Sequence, residues 1–416
     1  MGCNFLIFMI LNWSRDRTMI TGRTPVRIPM KVPVRKPVRV RVRKPLFLNV
    51  SKIKARNYKS IEKVDVCLGD ITVLVGPNGA GKSSFVDILR FISEVAKNGT
   101  LDRSIQNRGG IALLRKWSPR RGPDLSIEVE LHDTESMEFG ITYGFTLQST
   151  KGGNYFVKNE FAYINSDGVI FEASIRNGVR EKWPEEFGFM PRKTDNQSLN
   201  ILSLIYRQYD AFRGIGFSTI FPDSLRPPQK QVHDYPLEEN ASNLATVLQR
   251  IKKRKPSHDV IVEVFKKIIT DLEDVVVKPA GGYLPIKFKH KIGGKDVYFD
   301  ALQESDGTLR VLGILTALYL RPKMRMLVFE EPEMTIHPGA LGVLADVFKE
   351  EASNKTQIIL TTHSPDLISK FSSDDLRSVA KINGKTEVSE VNESNQKSIN
   401  EGLFSAGDLL RIEGSL

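Results

Sequence analysis

Residues 71–83 constrain the fold more than any other stretch of the chain. Ile71-Thr72-Val73-Leu74-Val75 is an apolar run of strand length, Gly76-Pro77-Asn78-Gly79-Ala80-Gly81-Lys82-Ser83 follows with the spacing G-x-x-x-x-G-K-S, and a helical stretch runs from about Lys82 to Lys97. Strand, glycine-rich turn and helix in this order make a phosphate cradle. The glycines let backbone N–H groups converge on phosphate oxygens, and the start of the helix adds the positive end of its dipole. Asn78, Gly79, Gly81, Lys82, Ser83 and Ser84 are the candidate nucleotide-binding residues, with Lys82 on the β- and γ-phosphates and Ser83 on Mg2+. The motif calls for ATP or GTP and does not choose between them.

Hydrophobic period supplies the elements around this loop. Residues 47–56 and 61–67 alternate apolar and polar, as strands do. From 124 to 180 the period of two continues through 125–132, 139–149, 154–164 and 168–177, an antiparallel meander. Residues 197–212 and 241–273 have helical spacing, so 197–273 reads as an inserted helical lid. A hairpin at 284–300 turns at Ile292-Gly293-Gly294-Lys295. Helix 306–320, strand 325–329, helix 338–352, strand 357–361 and helix 365–371 then alternate, the pattern of an α/β fold with a parallel core sheet.

Three more segments carry chemistry. Met326-Leu327-Val328-Phe329 ends in Glu330-Glu331-Pro332-Glu333, which puts carboxylates at the C-terminal end of a buried parallel strand, beside the cradle. Glu330 is the candidate metal ligand and Glu331 the candidate base for the attacking water. Glu304-Ser305-Asp306-Gly307-Thr308 opens the helix at Leu309 and offers a second helix N-terminus to phosphate, with Ser305 and Asp306 as cap residues and Gly307 permitting close approach. Two such termini in one chain suggest that two chains sandwich each nucleotide. His363, just past the strand Ile358-Ile359-Leu360-Thr361-Thr362, is a candidate sensor of the γ-phosphate.

Charge is concentrated outside this framework. Residues 1–48 hold eleven lysines and arginines against Asp16, a net of +10, and the other 49 basic and 48 acidic residues balance to +1. The overall +11 therefore describes the Pro/Val/Arg-rich segment 1–47 and not the folded part. Prolines every few residues forbid a helix there and suit an extended, solvated, disordered tail, or a reading frame whose start is Met19 or Met30. The apolar run 5–11 is far short of the ~20 residues that span a bilayer, its basic residues follow rather than precede it, and Leu6 stands where myristoylation needs Ser or Thr. Two cysteines make no disulfide framework, which fits a reducing cytoplasm.

The four elements in this order resemble the ABC-type, AAA-family ATPase heads of the SMC, RecF and OLD groups. Glu-Glu-Pro-Glu followed by His337-Pro338, with Ser-Asp-Gly-Thr-Leu-Arg and Thr-Thr-His-Ser-Pro, is most similar to the stand-alone "predicted ATPase" branch, over roughly 48–412. Pro236-Leu237-Glu238-Glu239-Asn240 in the stretch 235–244 adds a weaker match, and Arg56-Asn57-Tyr58-Lys59-Ser60 resembles the opening element that packs beside the nucleotide. The resemblance implies an α/β P-loop NTPase fold over 48–416, ATP and Mg2+ as ligands, and a homodimer in which Ser305 and Gly307 touch the γ-phosphate of the partner's ATP. It makes His363 the switch histidine and Gln106, before Arg108-Gly109-Gly110, the Q-loop glutamine that helps hold the metal.

No Leu-Ser-Gly-Gly-Gln signature is present, which argues against a transporter subunit and a membrane partner. No sustained heptads mark a full SMC arm. The 53 residues after His363 are too few for the Toprim nuclease domain of OLD proteins. The expected activity is ATP hydrolysis, coupled to a DNA-related task or to an antiphage-defence effector such as a separate nuclease. The other reading is an ATP-binding sensor or scaffold with negligible turnover. A third makes the basic arm a DNA tether.

Overall fold

The computed structural model describes residues 47–413 apart from 119–121, 136–137, 151–152, 233–235, 254 and 270. The expected disordered tail, except Phe47, lies outside the described residues, as does Tyr235 of the 235–244 stretch. The strands are β1 (Leu48–Tyr58), β2 (Ile61–Cys67), β3 (Ile71–Val75), β4 (Leu125–Asp133), β5 (Phe139–Ser149), β6 (Tyr155–Ser166), β7 (Val169–Arg176), β8 (Val179–Lys182), β9 (Ile215–Ser218), β10 (Gln229–Lys230), β11 (Leu272–Val277), β12 (Tyr283–Leu284), β13 (Ile286–Ile292), β14 (Lys295–Asp300), β15 (Met326–Glu330), β16 (Gln357–Thr362), β17 (Leu376–Ile382) and β18 (Lys385–Glu390). The helices are α1 (Lys82–Asn98), α2 (Leu101–Gln106), α3 (Ile111–Leu114), α4 (Asn200–Tyr209), α5 (Leu244–Lys253), α6 (Lys255–Ile268), α7 (Asp306–Tyr319), α8 (Pro338–Ser353), α9 (Pro365–Ile368), α10 (Glu393–Asn400) and α11 (Ala406–Glu413).

Thirteen strands form one mixed sheet in the order β8-β7-β6-β5-β4-β1-β2-β18-β17-β3-β16-β15-β9. The end that carries the 76–83 loop is parallel: β17, β3, β16, β15 and β9 run the same way. Its other end is the antiparallel meander β4–β8, joined edge to edge through the β1·β4 pair. All five residues of β3 and all six of β16 are buried. That is the mark of strands covered on both faces. Alternate residues serve different layers: Leu74, Val328 and Ile359 pack with α1 and α4, whereas Val73, Leu327 and Ile358 pack with α5–α8. Each such side chain taken fully from water contributes about 2 kcal/mol.

Four features were not read from the sequence. The stretch 197–273 contains α4, α5 and α6, but also β9, which pairs in parallel with β15 at the sheet edge. Its helices α5 and α6 bury Leu244, Val247, Ile261 and Phe265 against α7 and α8, so they form a core layer. The last residues of that stretch open β11, which joins β13 and β14 in a separate three-stranded sheet. Finally, β17 and β18 lie beyond every element expected after 371, yet β17 inserts between β3 and β18 near the centre of the main sheet. The hairpin turn does follow its sequence: Gly293 and Gly294 have φ of 58° and 80°. Both values suit the two-residue turn that glycine favours.

Candidate active site

The cradle begins where β3 ends. Gly76 has no room for a side chain, because a Cβ there would stand 2.0 Å from the Val379 carbonyl oxygen of β17. Gly81 caps α1 at φ 113°, a left-handed value that glycine alone adopts without strain. Lys82 is buried, and its Nζ donates to the carbonyls of Gly76 at 2.7 Å and Pro77 at 3.2 Å, spanning the loop that phosphate would fill. Burial pushes the Lys82 ammonium down, against the pull of Glu331 and Glu333. Asn78, Gly79 and Ser83 are exposed on the open side.

Behind the loop sits a latch. Thr386 of β18 donates from its hydroxyl, which lies 2.8 Å from both the Ala80 carbonyl and the Ser60 hydroxyl. Ser60 in turn lies 3.0 Å from the Ser84 hydroxyl. Ser84, expected on the nucleotide, therefore takes part in this rear network.

The carboxylates gather at the C-terminal ends of β15 and β16. Glu331 has φ 46°, a left-handed conformation that strains a residue with a Cβ. Its N–H holds that turn by donating to the Thr361 carbonyl at 2.9 Å. The turn directs Glu331 Oε1 to within 3.4 Å of His363 Nδ1, so the candidate base and the candidate sensor form a pair. Glu333 is buried; its Oε1 accepts the Thr362 hydroxyl at 2.5 Å and the His363 N–H at 3.4 Å, while its Oε2 has no hydrogen-bond partner among the described residues. Arg310 of α7 is also buried, and its Nε has no hydrogen-bond partner among the described residues. Burial pushes its guanidinium down, with Glu333 the leading acid that opposes this.

Glu330 is held differently. Its Oε1 accepts from Arg90, on α1, at 3.1 Å, and Arg90 also reaches Glu239 at 2.6 Å and lies over the Phe217 ring. Ser83 and Arg90 are seven residues apart on α1, close to two helical turns, so Glu330 faces the same side of that helix as Ser83. Gln106 is exposed at the end of α2, with no hydrogen bond among the described residues that ties it to the strand ends. Its neighbour Arg108 instead clamps α1 through Asp87 and Glu94. Burial pushes the Asp87 carboxyl up, but Arg108 and Lys59 reverse this and leave it below the usual range.

The second helix terminus stands apart. Ser305 caps α7 by accepting the Thr308 N–H at 3.1 Å, and Ser305 and Asp306 are exposed. Among the described residues no hydrogen bond or ion pair links residues 305–307 to the loop 76–84 of the same chain. Gly307 packs against the segment after β15, where a Cβ would meet the Thr335 carbonyl oxygen at 2.5 Å.

The family described as "AAA domain, putative AbiEii toxin, Type IV TA system" matches residues 71–369. The chain belongs to this family. It is 24% identical over 336 residues to the OLD nuclease of Thermus scotoductus, covering 76% of this chain and 59% of that protein. It is 21% identical over 392 residues to the Endonuclease GajA of Bacillus cereus, covering 88% of this chain and 65% of that protein. The chain thus spans only 59–65% of the length of these curated relatives. Its fold is similar to an SMC head crystallised with the C-winged helix domain of ScpA, with a TM-score of 0.53, 14% identity, and coverage of 84% of this chain and 99% of that one. The AAA-domain chain therefore has an SMC-head-like α/β P-loop NTPase fold.

The oxygen donors of this AAA domain fit a hard divalent cation: the exposed Ser83 hydroxyl opens α1, and the Glu330 carboxylate stands on the same face. Sequence reading assigned no role to Arg90, Arg310 or Thr386. Arg90 had one available signal, its two-turn spacing from Ser83; Arg310 closes the Ser-Asp-Gly-Thr-Leu-Arg motif; Thr386 lies on a strand whose neighbours only the sheet order reveals.

Proposed function

We propose that this protein is a Mg2+-dependent ATPase that works as a head-to-head homodimer. The observation that carries the reading is the Glu331–His363 pair at 3.4 Å, set on adjacent parallel strands beside a Lys82-spanned cradle. The isolated, outward Ser305–Gly307 terminus supports a site completed by a second copy. ATP enters the cradle and Lys82 exchanges two carbonyls for phosphate oxygens. Ser83 and Glu330 would hold the Mg2+, which when bound would supply positive charge against the phosphate oxygens. Glu331 orients a water and takes its proton as the water oxygen attacks the γ-phosphorus; the bond to the β-phosphate oxygen breaks and ADP leaves. His363 reports γ-phosphate occupancy, and the buried Glu333 carries that signal from Thr362 and His363 toward Arg310 on α7. Gln106, exposed at the end of α2, would reach the metal only once the site closes.

The relatives named as nucleases support a DNA-related or antiphage-defence role in the cytoplasm, with the ATPase controlling an effector protein such as a nuclease. No described helix is long and apolar enough to cross a membrane. A second reading, an ATP-binding sensor with negligible turnover, is favoured by Arg90, which neutralises Glu330. Steady-state phosphate release together with size-exclusion light scattering tests both. Glu331→Gln should abolish turnover and accumulate as an ATP-bound dimer. Wild type that already accumulates this way without releasing phosphate supports the sensor; a chain that stays monomeric with saturating ATP and Mg2+ refutes the dimer.

A further inference from the structure

The turn that leads into α7 is gripped from two sides by residues outside every motif. On one side Arg226 donates from Nη1 to the carbonyls of Leu302 at 3.3 Å and Glu304 at 3.0 Å, and its Nη2 pairs with the Asp306 carboxylate. On the other side His290, on β13, is buried between two acids. Its Nε2 lies 3.1 Å from Glu304 Oε1 in a hydrogen bond. Its Nδ1 lies 3.1 Å from Asp271 Oδ2, off the line that a hydrogen bond requires. Phe299 meets the His290 ring in a T-shaped contact, with centroids 5.2 Å apart.

Glu304 is the residue before Ser305, and its side chain is only 11% exposed. A carboxylate in that position is stable only while it is paired. Leu302 is 63% exposed and Ser305 and Asp306 face solvent, so beyond the local Asp300–Gln303 and Ser305–Thr308 caps the turn is tied to the body of the chain by His290 and Arg226. The sheet places His290 for this task. Strand β13 pairs with β14, and β14 runs directly into residues 301–306.

We propose that His290 and Arg226 are positioning residues that preset the Ser305–Gly307 turn for the nucleotide bound by a second copy of this chain. The inference rests on the composite-site reading above. His290 acts on the partner's site and not on the cradle of its own chain. Loss of the imidazole therefore separates two properties that are normally joined: nucleotide binding by the monomer and completion of the partner's site.

The test is a mixing experiment. His290→Leu alone should keep wild-type affinity for a fluorescent ATP analogue and a wild-type circular dichroism spectrum, while ATP-driven dimerisation weakens about tenfold. His290→Gln, whose amide retains a donor for Glu304, should recover part of that loss. Lys82→Ala chains are then mixed with chains that have an intact cradle. In heterodimers isolated by a different tag on each chain, His290→Leu placed in the Lys82→Ala chain should remove the remaining turnover; placed in the other chain, it should leave that turnover in place. Turnover loss that follows His290→Leu into the chain with the intact cradle overturns the inference, as does dimerisation equal to wild type. If His290→Leu does not fold, Glu304→Gln is put through the same mixing, with the same outcomes. Wild-type chains that fail to dimerise with ATP overturn the composite site first and the inference with it.

Discussion

Thr386→Val probes how the phosphate loop is held. Thr386 is 1% exposed, and its hydroxyl is 2.8 Å from both the Ala80 carbonyl and the Ser60 hydroxyl. Valine has nearly the same shape, so the substitution removes the latch without opening a cavity. Ser60 keeps its 3.0 Å contact with Ser84, but the Ala80 carbonyl, in a residue 1% exposed, loses its side-chain donor. An orphaned buried acceptor costs about 1–3 kcal/mol, and the surviving Ser60–Ser84 contact keeps the loss near 2 kcal/mol. The latch needs no nucleotide, so most of this falls on the folded state itself. Thermal unfolding should show a midpoint lower by roughly 4–8 °C, using the ~2–4 °C per kcal/mol of larger domains. Thr386→Ser, which keeps the hydroxyl and drops a methyl, should lose less. A valine variant as stable as wild type, or a serine variant that is the worse of the two, would refute the argument that the hydroxyl anchors the loop.

Arg90→Leu frees Glu330 from its cation while keeping apolar bulk over Phe217. A pair of this kind, its side chains 26% and 18% exposed, is worth about 1 kcal/mol, so the Mg2+ concentration needed for half-maximal ATP binding should fall about fivefold; an unchanged or raised requirement would mean that Glu330 does not hold the metal. Gly307→Ala drives a Cβ toward the Thr335 carbonyl oxygen at 2.5 Å, so ATP-driven dimerisation should fall at least about tenfold while monomer nucleotide affinity stays as in wild type, measured by light scattering and fluorescence titration. Burial pushes the Glu160 carboxyl from 4.5 up to about 7, although the N–H groups of Asn200 and Leu202 and the Tyr143 hydroxyl oppose this. A raised carboxyl binds its proton more tightly in the folded state, so the stabilisation is complete below pH 4.5 and is lost as the pH rises through about 7. The shift amounts to about 3 kcal/mol. Denaturant titrations across that window should slope downward in wild type and lie flat in Glu160→Gln; equal slopes would refute the assignment.

Local chemistry is written along the chain, and so it was legible there. The apolar run 71–75, the glycines at 76, 79 and 81, and the acids after Phe329 are contiguous, and their elements form where their period places them. A period of two across 125–176 likewise gave the meander, because each strand pairs with its neighbour in sequence. What the chain did not disclose is which distant segments meet. Strand β17 lies beside β3 although some 300 residues separate them; Arg90 and Glu330 are 240 residues apart, and Thr386 is 306 from Ala80. Sheet order and register depend on burying both faces of the whole sheet at once, and no window of sequence contains that balance. The sequence determined a phosphate-binding α/β chain with acids and a histidine at its strand ends. The tertiary structure alone decided that Arg90 claims Glu330, that Glu331 meets His363, and that His290 grips the turn before α7, because each of these contacts joins residues that only the assembled layers bring within reach.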